Sequence, residues 1–259
     1  MNYGLYLSAS GVLTNLYRQD VYANNLANVK TVGFKRDLAA VRQRDPESVE
    51  DQFGGRVSNR LLDRLGGGVL AARGRISFAP GSLQETGGDL DMALAGRNTF
   101  FAVAAADASG AEQVRLTRDG RFARDSSGQL VTVAGGHKVL DDKGQPISLP
   151  PVGKVHVDEA GNVSVGEDQV ATIQVTSVAD TTQLTKRGQG LFAWQGNADP
   201  RQPAETPDVR QGFVETSGVD PIMALMDLIS ATKAVTGNAN LIRYHDMLMD
   251  RAVNTLGRV

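Results

Sequence analysis

The chain has 259 residues, of which 41% are hydrophobic, and 27 basic and 29 acidic residues give it a net charge of −2. This length and hydrophobic content suffice for one large or two ordinary domains and argue against general disorder. A nearly neutral chain has no electrostatic reason to bind nucleic acid or an anionic membrane. Because cysteine is absent, disulfides, thiolate metal sites and cysteine nucleophiles are excluded.

The sequence also carries no recognisable targeting segment. Residues 1–13 lack a basic start and an uninterrupted apolar run, so we expect no cleavable secretory signal. No window approaches the roughly 18 apolar residues of a membrane helix.

The first predicted element is a helix that ends near Asn28. Its apolar residues recur at alternating steps of four and three, which is the spacing of a helix that packs against another helix. Members of this stripe, with the residues that widen it, are Leu5, Ala9, Val12, Leu13, Leu16, Ala23, Leu26 and Ala27. A stripe this wide needs more than one neighbour to cover it.

Polar residues mark the end of this helix. Asn24, Asn25 and Asn28 can pair with backbone groups left free at a helix end, and Gly33 allows the chain to turn away. Capping alone would explain this cluster, whereas a role in assembly would also involve the following Phe34.

Residues 37–68 are predicted to be an extended connector. Charges of both signs, Pro46 and two glycine clusters interrupt any apolar periodicity there. Gly66-Gly67-Gly68 is not followed by the Lys-Ser/Thr pair of a phosphate-binding loop, so we do not assign it to nucleotide binding.

Residues 69–219 have the pattern of an antiparallel β-rich body. Leu90, Met92 and Leu94 alternate with Asp89, Asp91 and Ala93, which predicts a strand with one buried face. Asp119-Gly120 between two alternating runs predicts a hairpin turn. Three Asp-x-x-Gly motifs, ending at Gly128, Gly144 and Gly161, predict further turns. Residues 170–177 are predicted to form one strand, and residues 196–207 a loop.

The last predicted element is a helix that begins at Asp220-Pro221, where Asp can cap free amides and Pro fits the first turn. Its two apolar faces are separated by nearly half a circle, and Gly237 lies between them. The first includes Ile222, Leu225, Met226, Leu228 and Ile229, and the second includes Leu241, Ile242, Leu248, Met249, Ala252, Val253 and Leu256. The helix either breaks near Gly237 or stays straight and buries opposite faces against different neighbours. Both neighbours are hard to supply within one monomer.

Motifs for catalysis or cofactor binding are weak. His137, His156 and His245 have no metal-ligand spacing, and Asp89 and Asp91 fit the solvated face of a strand better than a catalytic pair. A serine-nucleophile elbow is lacking. We therefore expect no enzyme activity, cofactor, metal, small-molecule substrate or nucleic-acid partner.

Particular motifs resemble those of the bacterial flagellar rod and hook protein family. The N-terminal signature is Ala23-Asn-Asn-Leu-Ala-Asn28 followed by Thr31-Val-Gly-Phe-Lys-Arg36, and the C-terminal one begins at Gln211-Gly-Phe-Val-Glu215. Leu116-Thr-Arg-Asp-Gly-Arg-Phe122 is similar to a motif of the β-body of that family. Length and layout favour a rod subunit, proximal or distal, over a hook subunit.

The resemblance implies an α+β fold in which residues 1–36 and 220–259 pair as a coiled-coil assembly domain. It implies a structural subunit that leaves the cell through the flagellar type III export apparatus without cleavage. Such a subunit would polymerise helically, with itself and with neighbouring rod or hook proteins, into the periplasm-spanning drive shaft of the basal body. A hook-like axial protein is the alternative within the family. From a different class, the β-body could be a glycan-binding module with oligomerisation helices.

Overall fold

A computed structural model describes residues 3–45, 66–107, 110–196 and 201–256 of the chain. Within these ranges the fold is α+β, with a helix near each end and a β-rich body between them, as predicted. Helix α1 spans Tyr3–Ala27 and helix α2 spans Pro221–Arg251, followed by a π-helical turn at Ala252–Leu256. Most of the predicted connector, residues 46–65, lies outside the described residues. Among the described residues, no helix is long and apolar enough to cross a membrane.

The described residues form twenty short strands, numbered β1 to β20 in chain order. They are Asp37–Leu38, Val41–Gln43, Val69–Ala71, Arg75–Ile76, Leu83–Glu85, Met92–Leu94, Thr99–Ala106, Glu112–Thr117, Phe122–Arg124, Leu130–Thr132, Lys138–Val139, Val155–Val157, Asn162–Val165, Asp168–Thr172, Val175–Val178, Leu184–Lys186, Leu191–Trp194, Arg201–Pro203, Val209–Gln211 and Phe213–Glu215. A short 3-10 turn at Thr181–Gln183 precedes β16.

The chain divides into two compact units. The helical unit comprises residues 1–27, 37–75 and 221–259, and the body unit comprises residues 28–36 and 76–220. In the helical unit, β2 and β3 pair antiparallel, with Val41 opposite Ala71. Thr14 of α1 donates a 3.0 Å hydrogen bond from Oγ1 to the Val69 carbonyl, which ties β3 to α1.

The body unit is built on a nine-stranded antiparallel sheet in the order β16-β17-β8-β7-β11-β10-β9, with β15 and β18 joined to it through β7. Alternate residues of β7 supply two apolar clusters, because both faces of this central strand are covered. Phe101 and Val103 belong to the larger cluster, and Phe100 packs with Phe192 and Leu116 in the smaller one. The body therefore has its own hydrophobic core.

The three Asp-x-x-Gly motifs form turns, which confirms that prediction. In the first, the Asp125 carboxylate accepts hydrogen bonds from the Ser127 and Gln129 amides, and Gly128 has a φ of 83°. This turn joins β9 to β10, and the corresponding turn at Asp158 joins β12 to β13. An Asp side chain that accepts backbone N–H groups and a glycine with positive φ explain why these motifs are reliable turn signals.

The predicted Asp119-Gly120 hairpin is wrong. β8 before it pairs with β7 and β17, whereas β9 after it pairs with β10. The linking segment is buried instead of lying at a hairpin tip, since Arg118 and Asp119 are almost inaccessible to solvent. The Met92 amide donates a 2.9 Å hydrogen bond to the Gly120 carbonyl, so this glycine allows close backbone approach.

Three other strand predictions need correction. Ala93 is buried together with Met92 and Leu94, because both faces of β6 are covered. The strand predicted at residues 170–177 is divided into β14 and β15, and the loop predicted at residues 196–207 contains β18. In each case long-range pairing determines where the strand lies, and local alternation does not report it.

Candidate assembly surface

Helix α1 exposes large apolar side chains on one side. Leu13 is 68% exposed, and Tyr6 and Leu16 are exposed as well. The α1 side chains that are buried, by contrast, are the polar Ser8, Thr14 and Asn25. This is the reverse of an ordinary amphipathic helix, in which the apolar side is covered and the polar side faces water.

Helix α2 also exposes large apolar side chains. It continues without a break through Gly237, so of the two alternatives the unbroken helix is the one observed. Its buried residues are Ala224 and Ala231, while Leu225, Met226 and Ile229 are exposed. Within the described chain, the first predicted apolar face of α2 is thus left open to solvent.

The predicted assembly residues fall into three groups by exposure. Those exposed are Leu13, Leu16, Ala23, Asn24, Ile222, Leu225, Met226, Ile229, Leu241, Leu248, Met249 and Val253. Those partly buried are Leu5, Ala9, Val12, Leu26, Asn28, Phe34 and Ile242, and those buried are Asn25 and Gly33. The side chain of Leu256 lies outside the described set.

The two helices of the helical unit pack against each other. The contacts at α1 involve Gly4, which lies against His245, and Gly11, which lies against Asn238. These glycines are not part of the predicted apolar stripe. The sequence prediction considered only the spacing of large apolar residues and so did not identify them. Two glycines seven residues apart within a predicted helix are the sequence signal that could have done so.

Two asparagines at the end of α1 form hydrogen bonds with groups that follow the helix in the chain. The buried Asn25 donates from Nδ2 to the Asp37 carbonyl and accepts from the Asp37 amide, both at 2.8 Å. This pair of bonds imitates one rung of a β-ladder. In the body unit, Asn28 Oδ1 accepts a 3.1 Å hydrogen bond from Thr31 Oγ1, which closes the turn after the helix.

The next residues of the N-terminal signature are fixed inside the body unit. Gly33 has a φ of 65°, and its amide donates a 2.8 Å hydrogen bond to the Glu215 carbonyl. Phe34 lies under the ammonium group of Lys186, with Nζ 3.9 Å from the ring centre, and its carbonyl accepts from the Gly218 amide. Gly33 and Phe34 therefore join the N-terminal and C-terminal signatures in one structure.

A buried charged cluster of Lys35, Glu215 and Arg118 supports that junction. Lys35 Nζ lies 2.6 Å from Glu215 Oε1 and donates a second hydrogen bond to the Ala79 carbonyl. Arg118 Nη1 lies 3.4 Å from Glu215 Oε2. The same guanidinium group donates hydrogen bonds to the Leu94 and Gly96 carbonyls. Desolvation lowers the pKa of Lys35 and that of Arg118, although the Glu215 carboxylate opposes both shifts. The cluster was not singled out from the sequence.

Three family models match separate parts of the chain. Residues 5–35 match one described as flagella basal body rod protein, and residues 210–255 match the C-terminal region of the flagellar basal body rod FlgEFG proteins. Residues 93–168 match the D1 domain of the flagellar hook proteins FlgE/F/G. The first contains all of the N-terminal signature except Arg36, the second contains the C-terminal signature, and the third lies in the body.

Other flagellar proteins align with this chain over almost its whole length. The flagellar basal-body rod protein FlgF of Caulobacter vibrioides is 35% identical over 260 aligned residues, which are 100% of both chains. The chain belongs to the flagellar basal-body rod protein family. FlgF of Mesorhizobium japonicum is 29% identical over 99% of both chains, and FlgG of Bacillus subtilis is 26% identical over 96% of this chain and 97% of its own.

Membership of the rod family gives the chain a structural role in the flagellar basal body. Proteins of this family are not enzymes, and the prediction that the chain is not one is confirmed. Membership also supports self-assembly with neighbouring rod or hook proteins.

Two of the polar residues considered for chemistry, Asp91 and His137, form side-chain hydrogen bonds within the body unit. Asp91 accepts a 2.6 Å hydrogen bond from Thr86 Oγ1, while Asp89 is exposed at 4.0 Å from Lys154. His137 pairs with Gln189 through a 2.8 Å hydrogen bond. In the part of the chain that the structure describes, no three His, Cys, Asp or Glu residues converge as metal ligands would.

Proposed function

We propose that this rod-family subunit polymerises helically through its two terminal helices, and that the resulting shaft transmits torque across the periplasm. The observation that carries the proposal is the exposure of α1 and α2, whose large apolar side chains face solvent in the monomer. Covering such side chains contributes about 1.5–3 kcal/mol each, so neighbouring copies that bury them would gain a large stabilisation.

The geometry of the exposed residues supports contact with more than one neighbour. Leu13 lies two residues after Gly11, which packs on α2, so the two point about 200° apart around α1. In the same way Ile229 is two residues from the buried Ala231 on α2. Helix α1 thus presents its apolar side, and α2 its first apolar face, away from the buried side, as a subunit in the wall of a tube requires.

We further propose that the subunit is exported by the flagellar type III apparatus without cleavage. Ordering a chain on assembly costs roughly 1–2 kcal/mol per residue in backbone entropy. A subunit whose apolar faces meet their partners only at the growing tip would recover that cost there, and would remain unassembled before reaching it.

The test uses the complete protein in a bacterium that lacks its own copy. Leu13→Asp and Ile229→Asp should fold normally by circular dichroism, reach the periplasm, and yet be missing from purified basal bodies, with loss of motility. Val152→Asp is the matched control, because Val152 is 84% exposed but belongs to the body unit. Incorporation of both helix variants at the wild-type level would refute assembly through the helices.

The fate of the variants separates export from assembly. A helix variant retained in the cytoplasm would indicate a defect in export, and immunoblots of periplasmic and cytoplasmic fractions distinguish the two. Cryo-electron microscopy of basal bodies would then check the helical arrangement directly. A shaft in which α1 and α2 contact no second copy would contradict the proposal even if the variants fail to assemble.

A further inference from the structure

The interface between α1 and α2 contains small and polar groups where an ordinary helix pair has leucines. Gly4 and Gly11 of α1 meet His245 and Asn238 of α2 there, and the buried residues of α2 are Ala224 and Ala231. Apolar burial is non-directional, so a smooth apolar interface would permit several alignments. This interface must obtain its alignment from shape and from specific pairs.

Two pairs in the interface have a side chain from α2 resting on a glycine of α1. A Cβ atom on Gly4 would lie 2.7 Å from His245 Nε2, and a Cβ atom on Gly11 would lie 2.8 Å from Asn238 Nδ2. Both distances are too short for a real Cβ atom, so the imidazole and the carboxamide occupy the space that a side chain on α1 would need. Each glycine is a socket for one polar side chain.

The pairs follow a regular pattern. Gly4 and Gly11 are seven residues apart, as are Asn238 and His245, and the order reverses between the helices, so the helices run antiparallel. The next steps of seven bring Arg18 and Asn25 on α1 to the level of Ala231 and Ala224 on α2.

We propose that the Gly4–His245 and Gly11–Asn238 pairs fix the register of the helix pair. A shift of four residues would place Asn238 against Leu7 or Asn15 in place of Gly11. A shift of seven would place it against Arg18 in one direction, and would leave Gly11 facing Ala231 in the other. A larger side chain opposite Asn238 creates a clash, and Gly11 opposite Ala231 leaves a gap. Both are destabilising in close-packed interfaces. The inference concerns the monomer and does not depend on assembly.

Pairs of introduced cysteines test the register without interference from other thiols, because the natural chain has no cysteine. The variant with Gly11→Cys and Asn238→Cys should form an intramolecular disulfide under mild oxidation, seen as faster migration on a non-reducing gel. The controls combine the same positions one step of seven out of register, with Gly4→Cys and Asn238→Cys or with Gly11→Cys and His245→Cys. Oxidation of either control as rapidly and completely as the matched pair would overturn the proposal.

A second measurement uses alanine and needs no cysteine. Alanine at a helical glycine normally raises stability, and Gly237→Ala, where no atom lies within 4 Å of the new Cβ, should raise the Tm of the helical unit by about 2–4 °C. Gly11→Ala should not raise it in the wild-type background, because Asn238 must be displaced. It should do so in the Asn238→Ala background. An equal rise in both backgrounds would show that Gly11 is not a socket, and would overturn the proposal.

Discussion

Lys35 Nζ donates a 2.6 Å hydrogen bond to Glu215 Oε1, although the two residues are 180 positions apart in the chain. Both side chains are almost completely buried, with exposed fractions of 1% and 2%. The same Oε1 atom accepts a 2.6 Å hydrogen bond from the Gly81 amide. Glu215 therefore connects the N-terminal signature, the start of the body and the C-terminal signature.

The charges in this cluster predict unequal effects of removing its members. Glu215→Gln leaves the two cations Lys35 and Arg118 buried without an anion, and should reduce the free energy of unfolding by about 3–5 kcal/mol. Lys35→Met should lower the free energy of unfolding by less, because the Glu215 carboxylate keeps two partners. These are Arg118, 3.4 Å away, and the Gly81 amide. The double variant Lys35→Met/Glu215→Gln buries only one cation, and should be more stable than Glu215→Gln alone.

Urea unfolding followed by circular dichroism measures these differences. Glu112→Gln is the control, since Glu112 forms an exposed ion pair with Lys138 and its loss should cost less than about 1 kcal/mol. Equal destabilisation by Glu215→Gln and Lys35→Met would contradict the prediction, as would a double variant less stable than both.

The pH dependence of stability should carry the signature of Lys35. Desolvation lowers the pKa of Lys35 in the folded chain, so between that value and the ordinary 10.5 the unfolded chain binds more protons. The contribution of Lys35 to the free energy of unfolding therefore rises with pH between these two pKa values. Below the lower value the lysine is charged in both states, so its contribution does not change with pH. The free energy of unfolding of the wild type, minus that of Lys35→Met, should increase as pH is raised towards 10.5. A difference that stays constant or falls as the pH rises would show that the pKa of Lys35 is not lowered in the folded chain.

The sequence predicted best what is encoded locally. The helix from Pro221, the end of α1 near Asn28 and the three Asp-x-x-Gly turns each depend on residues within a few positions of one another, and all are observed. The family resemblance was carried by short motifs as well, and is confirmed over the full chain.

Features that depend on distant contacts were not accessible in the same way. A charged side chain normally faces water, and nothing near Lys35 or Glu215 in the sequence indicates that each is buried against the other. Asp119-Gly120 has the composition of a hairpin tip, yet Arg118 beside it is held by carbonyls of Leu94 and Gly96. For the helices, the sequence correctly indicated an excess of apolar surface. The Gly4 and Gly11 contacts require knowing which residues of α2 lie opposite.

Gly33 should tolerate alanine poorly for two separate reasons. Its φ of 65° is unfavourable for residues with a side chain, at roughly 1–2 kcal/mol. In addition, a Cβ atom would lie 2.5 Å from the backbone carbonyl carbon and oxygen of Arg118, which cannot rotate away as a side chain could.

Gly144→Ala separates the two contributions, because Gly144 has a similar φ of 74° and no atom within 4 Å of the added Cβ. Gly33→Ala should lower the midpoint of thermal unfolding clearly more than Gly144→Ala, and the excess measures the clash with Arg118. Equal effects of the two variants would mean that the segment around residue 33 adjusts without cost.

Asn25 should be the most sensitive asparagine of the three at the end of α1. Asn25→Ala removes both of its 2.8 Å hydrogen bonds with the backbone of the partly buried Asp37, and because a typical hydrogen bond contributes about 0.5–1.5 kcal/mol, it should cost about 1–3 kcal/mol. The matched substitution Asn254→Ala removes one exposed side-chain bond to Asp250 and should have little effect. Hydrogen exchange provides the residue-level measurement, since the Asp37 amide should lose protection in Asn25→Ala while amides in the middle of α1 retain it. Unchanged protection at Asp37 would show that water or a neighbouring group replaces the side chain, and that the asparagine at this position acts through something other than this bond.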